Sequence, residues 1–364
     1  MNHPRTIDAI SVAWVTEILR GAGVVRQSSV RAVDIRPIGQ GVGFLSTRAR
    51  LTLTYDRAEE GAPATVVVKM PATAKEGVDF AESTHVYERE IRFYREVAPR
   101  TAIRVPRAYA AIMEPAEDLY ILVLEDLTAF AAGDQLAGLT RAQAMACANA
   151  IAPLHAAWWT GDQRGALPWA PTVERQLDDL AITPARFREA WPPFLDEYGD
   201  SLSAAGRALG ERVNQRLEGI VAKFFAATRT LAHFDFRADN LFFDDLASKQ
   251  PVVVLDWQLV MWGPGAYDLA RLVGGSLPPS ERGGHHEELV DCWHRGLLSG
   301  GVAGYTREDA WHDYRLSAIM AMLNPVLYNY IYKSGGARGT ALAAAMTTRL
   351  FSDLIECDAE AVIP

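Results

Sequence analysis

Between His233 and Asp256 the order of polar and apolar residues admits few folds. The run His233-Phe234-Asp235-Phe236-Arg237-Ala238-Asp239-Asn240 leads into Leu241-Phe242-Phe243. Residues 244–251 then connect to Val252-Val253-Val254-Leu255 and Asp256. Two short β-branched or aromatic runs joined by a polar connector read as an antiparallel hairpin. In a hairpin the start of the first strand lies beside the end of the second, so Asn240 is expected next to Asp256. Two oxygen-bearing side chains at one sheet edge can hold a hard divalent cation. Asp235 lies upstream on the same loop, which leaves one carboxylate for other chemistry.

At 364 residues the chain is expected to form two lobes rather than one small core. Apolar residues at 49% and charged residues at 22% exclude a disordered chain and indicate a globular one. No apolar run reaches the roughly 18 residues a membrane helix needs. The first residues lack a basic segment leading into an apolar core, so an unprocessed cytoplasmic protein with no membrane partner is expected. Cys147, Cys292 and Cys357 are widely spaced, match no metal-ligand pattern and read as free thiols. A net charge of −9 argues against a general nucleic-acid binder, whose phosphate contacts need basic surface. The pair His285-His286 falls in a polar stretch with no complementary ligand spacing and is read as a solvated loop.

Residues 7–20 carry apolar side chains at helical spacing and stop at Gly21 and Gly23, an amphipathic helix with a C-terminal stop. Strand-like runs across residues 33–53 flank Gly39-Gln40-Gly41-Val42-Gly43. Glycines at every second position let a backbone approach a ligand and turn its amides toward phosphate oxygens. Val66-Val67-Val68-Lys69 is an apolar strand ending in a lysine, and residues 84–97 read as a helix. Glu88 and Glu90 on that helix are both candidates to reach Lys69. A further strand, Tyr120-Ile121-Leu122-Val123-Leu124, ends at Glu125-Asp126-Leu127, where the domain boundary is drawn: residues 1–127, then residues 128–364. Beyond it the chain turns helical, over residues 140–159, 175–194 and 198–228, with interruptions at Pro184 and Pro192-Pro193. Residues 287–298, 307–332 and 340–356 continue the helical pattern after the hairpin. His155 reads as a packing residue.

A glycine loop, a strand lysine, a helix glutamate, a strand leading to a hinge, and then Asp235, Asn240 and Asp256 follow the order that moving a γ-phosphate requires. On these residues the chain resembles the aminoglycoside phosphotransferase and choline kinase superfamily, and its ecdysteroid-kinase-like branch of small-molecule kinases in particular. Leu255-Asp256-Trp257-Gln258 and Gly263-Pro264-Gly265-Ala266-Tyr267-Asp268-Leu269-Ala270 carry the resemblance further. It implies an α+β, bilobal protein-kinase-like fold. The N-lobe would be an antiparallel sheet with a helix, and the larger helical C-lobe would carry the catalytic-loop hairpin. It also implies ATP and Mg2+ as cofactors and a small-molecule alcohol as phosphate acceptor. Lys69, paired with Glu90, would hold the α- and β-phosphates under the loop of Gly39, Gly41 and Gly43. Backbone groups of Glu125 and Leu127 would meet adenine.

Asp235 would accept or orient the proton of the alcohol, and Asn240 and Asp256 would hold magnesium. Arg237 would meet charge developing on the γ-phosphate, or else pair with Asp239. His233 would brace the loop, and Asp268 would hold the loop backbone. Much of the superfamily has glycine between the histidine and the aspartate, where this chain has Phe234, so packing of the loop is expected to differ. Only eleven residues separate Asp256 from Asp268, too few for the activation segment of a protein kinase. A noncatalytic nucleotide-binding scaffold is the other alternative, and it would leave an intact base and metal set idle. Trp158, Trp159, Trp257, Trp262, Tyr328 and Tyr330 either pack in the core or line an apolar pocket suited to an apolar or acyl-type alcohol.

Overall fold

The computed structural model describes residues 2–39, 46–72, 84–117, 119–159, 165–179 and 182–364. Gly41 and Gly43 lie outside the described residues. The chain divides into two compact units, Met1–Arg100 with Val105–Phe130, and Thr101–Arg104 with Ala131–Pro364.

In the first unit, α1 (Val12–Gly21) is capped by Ser11, whose Oγ accepts from Trp14 N at 3.2 Å. A five-stranded antiparallel sheet follows, formed by β1 (Val30–Pro37), β2 (Ser46–Tyr55), β3 (Thr65–Pro71), β4 (Ala108–Glu114) and β5 (Leu119–Glu125), in the order β1-β2-β3-β5-β4. Alternation along β3 buries Val66, Val68 and Met70 in a core with Trp14, Leu19, Leu51 and Ile121. The same period of two sends Lys69 to the other face. Helix α2 (Val86–Arg92) continues into a π-helical turn over Phe93–Val97.

Glu59 ties the turn before β3 to the segment before β1, accepting backbone N–H groups of Arg26, Gln27 and Ser28 at 2.7, 3.0 and 2.8 Å and the Ser28 hydroxyl at 2.8 Å. The Ser28 N–H leads in lowering the Glu59 carboxyl from the usual 4.5 to about 2. A depressed folded-state value adds stability above the unfolded value, and that stability is lost as pH falls through the folded one. The melting temperature of Glu59→Gln is therefore expected below wild type at pH 7, with the gap closing between pH 4.5 and about 2. Thermal melts across that range check it, and a gap independent of pH would count against the assignment.

The second unit begins with β6 (Ala131–Ala132) and α3 (Arg141–Ala157), which starts in a capping box of Thr140 and Gln143. Then come α4 (Val173–Asp179), α5 (Pro184–Tyr198) and α6 (Ala204–Ala226). The expected hairpin is present: β8 (Leu241–Phe243) pairs antiparallel with β9 (Val252–Val254), Leu241 opposite Val254, and β6 lies on the other side of β8. A separate pair joins β7 (Arg229–Ala232) to β10 (Met261–Pro264). The helices α7 (Ala266–Ser276), α8 (Pro279–Arg282), α9 (His286–Ser299), α10 (Arg307–Leu327), α11 (Asn329–Ser334) and α12 (Gly336–Glu356) complete the unit. Helix α7 is buried on every side and packs against α10 and α12. Among the described residues no helix is long and apolar enough to cross a membrane, and Cys147, Cys292 and Cys357 are free and buried.

Two local expectations are corrected. Pro192 and Pro193 lie inside α5 rather than ending it. A proline in a helix interior costs about 3 kcal/mol or more. Both prolines are exposed, while Phe187, Trp191 and Phe194 bury their rings, with Trp191 and Phe194 stacked on Phe351 of α12. Burial of each ring contributes about 1.5–3 kcal/mol, enough to offset the prolines. His286 is likewise not in a solvated loop. It opens α9, is 4% exposed, and its Nε2 lies 2.8 Å from Oδ1 of the buried Asp353.

Candidate active site

Each unit carries a cluster of the residues expected to act. In the first, Lys69 Nζ donates to Glu90 at 2.9 Å from Oε1 and 2.7 Å from Oε2, with both side chains largely buried. Glu88 turns away and accepts from Arg92 Nε at 2.7 Å. Residues two apart on a helix point about 200° apart, so only one of the two glutamates can face β3. Gly39 adopts φ +67° beneath the Arg48 guanidinium, where an added Cβ would lie 3.0 Å from Nη2. At the end of β5, Glu125 N donates to Arg107 O at 2.8 Å and the Leu127 carbonyl accepts from Phe130 N at 2.9 Å.

In the second unit the loop from His233 to Asn240 hangs between β7 and β8, whose partners are different strands. Its start is fixed by Asp268 in the first turn of α7, where the helix dipole favours a carboxylate. The buried carboxylate accepts His233 N and Phe234 N, each at 2.7 Å, and His155 Nε2 at 3.1 Å. His155 Nδ1 accepts the Trp293 indole N–H at 2.9 Å, so its proton sits on Nε2. His155 is thus a bonded core residue, as expected. His233 spans the hairpin ends: its Nε2 donates to Leu255 O at 2.7 Å and its Nδ1 accepts from Asp235 N at 3.2 Å.

Phe234, where glycine was the usual residue, takes φ +65°. A side chain in the left-handed region costs about 1–2 kcal/mol. Its ring compensates by stacking on Tyr267 at 4.4 Å between centroids. The same ring fills the space over Gly263, where a Cβ would come within 2.6 Å of it.

Asp235 is held from three directions. Arg237 Nε donates to Oδ2 at 3.0 Å and to Oδ1 at 3.2 Å, Asn240 Nδ2 donates to Oδ2 at 2.9 Å, and Arg271 Nη2 donates to Oδ1 at 3.2 Å. Burial pushes the Asp235 carboxyl up, but the Arg237 and Arg271 guanidiniums outweigh it and hold it below the usual carboxylate range. The side chain remains 22% exposed, so the ionised carboxylate is reachable. Arg237 Nη1 also donates to Asp239 at 2.8 Å.

Arg271, Gln135 and Ser276, which accepts from Ala238 N at 3.0 Å, are partners of this loop that escaped the sequence reading. Arg271 lies one helical turn beyond Asp268, a spacing that places both on one face of α7 and could have revealed it. Gln135 backs the loop from the segment after β6. Its Oε1 accepts from Ala238 N and Ser276 Oγ, both at 2.8 Å, and its own N–H donates to Asp239 Oδ1 at 2.8 Å. No local pattern in the sequence marks a glutamine for that position.

The hairpin puts Asn240 opposite Leu255, one residue before Asp256: Leu255 N donates to Asn240 O at 2.9 Å, and Asp256 adopts φ +62° at the end of the second strand. Among the described residues no group of three or more His, Cys, Asp or Glu side chains could hold a metal. An amide oxygen and a carboxylate form a two-donor, all-oxygen set. That fits magnesium, which keeps waters and substrate phosphates for its other positions.

The aromatic residues divide. Trp158, Trp257 and Trp262 are core residues, at most 2% exposed. Trp159 packs on Tyr305 at 4.8 Å and lines a cleft of about 480 Å³ with Asp309, His312 and Asp313. Tyr330 is 62% exposed, and Tyr328 lies under Arg186, 5.8 Å from the guanidinium carbon.

A five-stranded antiparallel sheet with a Lys–Glu pair, and a helical unit with an aspartate loop and hairpin, define a protein-kinase-like fold of the small-molecule kinase type. Residues 40–300 match the Ecdysteroid kinase-like family, and the chain belongs to it. Solved structures share the fold. The GDP complex of aminoglycoside 2'-phosphotransferase-IIIa matches with TM-score 0.54 at 14% identity, over 94% of this chain and 98% of that one. Choline kinase from Cryptosporidium parvum matches with TM-score 0.53 at 9% identity, over 97% of each chain. The microcompartment-associated aminopropanol kinase matches with TM-score 0.50 at 14% identity, over 97% of this chain and 99% of that one. The curated proteins include no match to the chain.

Proposed function

We propose that the protein is an ATP-dependent O-phosphotransferase that uses Mg2+ and transfers phosphate to the hydroxyl of a small molecule. The observation that carries this reading is the Asp235 carboxylate, ionised, partly exposed and aimed by Arg237, Asn240 and Arg271. Asp235 orients the alcohol and accepts its proton. Lys69, fixed by Glu90, holds the α- and β-phosphates, and backbone groups at Glu125 and Leu127 bind adenine. Asn240 and Asp256 hold magnesium, which when bound neutralises phosphate charge. Arg237 exchanges its carboxylate partners for the transferring phosphate. His233 braces the hairpin ends around this site and takes no part in proton transfer. Residues 1–127 form the nucleotide-binding lobe, and residues 128–364 carry the catalytic loop and the region that selects the acceptor.

The solved relatives named above are kinases or phosphotransferases of an aminoglycoside, choline and aminopropanol. The neighbours of Asp235 here are the guanidiniums of Arg237 and Arg271 and the Phe234–Tyr267 stack. Asp235 and Asp239 balance those two guanidiniums, so the loop offers no surplus negative charge to a polycation, and the mix suits a neutral, apolar or acyl-type alcohol better. The test is phosphate transfer from Mg-ATP across a panel of hydroxyl compounds spanning amino alcohols, aromatic alcohols and acyl-type alcohols. Turnover that disappears in Asp235→Asn supports the reading. Nucleotide binding with no turnover on any member of the panel would instead favour a noncatalytic scaffold.

A further inference from the structure

The counter-charges on Asp235 come from two unlike places. Arg237 belongs to the loop itself, two residues away, and both of its carboxylate partners, Asp235 and Asp239, are loop neighbours. A group that travels with the loop cannot fix where the loop stands. Arg271 comes from α7, a helix buried on every side, and is itself only 4% exposed. It lies one turn from Asp268, so a single helix face grips the loop twice, at the backbone of His233 and Phe234 and at the carboxylate of Asp235.

The bonding of Arg271 is also unusual. Its Nη2 reaches Asp235 Oδ1, but its buried Nη1 meets no hydrogen-bond partner among the described residues, and a Cβ at Gly275 would lie 3.3 Å from it. A buried donor left unmade is costly, and buried guanidiniums ordinarily pair their donors. An arginine kept here for packing alone would be replaced without loss by an apolar side chain. Among the described residues its side-chain hydrogen-bond partner is the carboxylate at the centre of the site.

We infer that Arg271 is a positioning residue for Asp235: it holds Oδ1 in place from α7 when Arg237 leaves the carboxylate for the transferring phosphate. This rests on the phosphotransferase reading given above. In that sequence of contacts Asp235 loses one of its two loop-borne partners at the moment it must point at the alcohol. Arg271 and Asn240 are the contacts that remain, and Arg271 alone of these is anchored outside the loop.

The experiment compares Arg271→Met, which keeps the bulk, with Arg271→Lys, which keeps a cation, in the full chain, measuring kcat, the KM for ATP, ATP-analogue affinity and thermal melting. Displacement of a reacting group by about an ångström costs on the order of 100-fold in rate. Arg271→Met is therefore expected to lower kcat by about 100-fold while nucleotide affinity stays within about twofold, and Arg271→Lys to regain about tenfold of the loss. Retention of kcat within about threefold of wild type in Arg271→Met overturns the inference, as does a loss of kcat matched by equal losses in nucleotide affinity and melting in both variants. Asp235→Asn in the same assay keeps the two readings apart. If it is inactive while Arg271→Met is active, the positioning role fails alone, and if it is active the phosphotransferase assignment of Asp235 fails with it.

Discussion

Asp235→Asn is expected to lower kcat by about 10²–10⁴-fold, the range that a positioned general base contributes, with little change in nucleotide affinity. Asparagine matches aspartate in shape, so the loop retains its packing. What changes is chemistry at two oxygens that now accept from Arg237, Asn240 and Arg271. An amide places an NH2 group where one of those oxygens stood, opposite a donor, and it cannot take a proton from an alcohol. Steady-state transfer assays with the best acceptor of the panel, together with calorimetric titration of an ATP analogue, check both halves. Wild-type turnover in the variant would show that Asp235 is not the base.

Asp268→Ala is expected to have the largest effect on the protein itself. The carboxylate is fully buried, and its removal strands three donors at once: His233 N, Phe234 N and His155 Nε2. Breaking a buried, fully bonded charged group typically costs about 3–5 kcal/mol. For a unit of this size that corresponds to a fall in melting temperature of roughly 6–20 °C. Catalysis should fall further than the unfolded fraction explains, because Phe234 holds its left-handed backbone through the lost bond. Calorimetry of wild type, Asp268→Ala and Asp268→Asn, combined with kcat measured well below each melting point, checks this. Asp268→Asn retains an acceptor oxygen and is expected to lie between the other two. A variant melting with wild type would mean that the loop is held elsewhere.

The local pattern of the sequence carried the hairpin, because Leu241 to Phe243 and Val252 to Val254 are short apolar runs joined by a polar connector. It also carried the division of work along β3, where a period of two separates Val66 and Val68 from Lys69. The residues alone left Glu88 and Glu90 both open and only the resemblance favoured Glu90, because two acidic positions two apart do not reveal the orientation of α2. Pro192-Pro193 misled because aromatic burial against α12 outweighs a local helix breaker, a tertiary effect invisible within the segment. His286 misled for the same reason, its partner Asp353 being supplied from a helix far along the chain. The loop residues could be read as a set, whereas Gln135 could not, since its contacts lie 103 and 141 residues away.

The Phe234 ring has a consequence for how this loop can change by single substitutions. With phenylalanine at 234, position 263 has no room even for a methyl group. With glycine at 234, that constraint lifts and the left-handed backbone becomes easy. The two positions are therefore coupled: a variant that gives residue 263 a side chain must displace the Phe234 ring unless residue 234 has been made small. A substitution neutral in a relative with glycine in the loop would here have to displace the Phe234 ring.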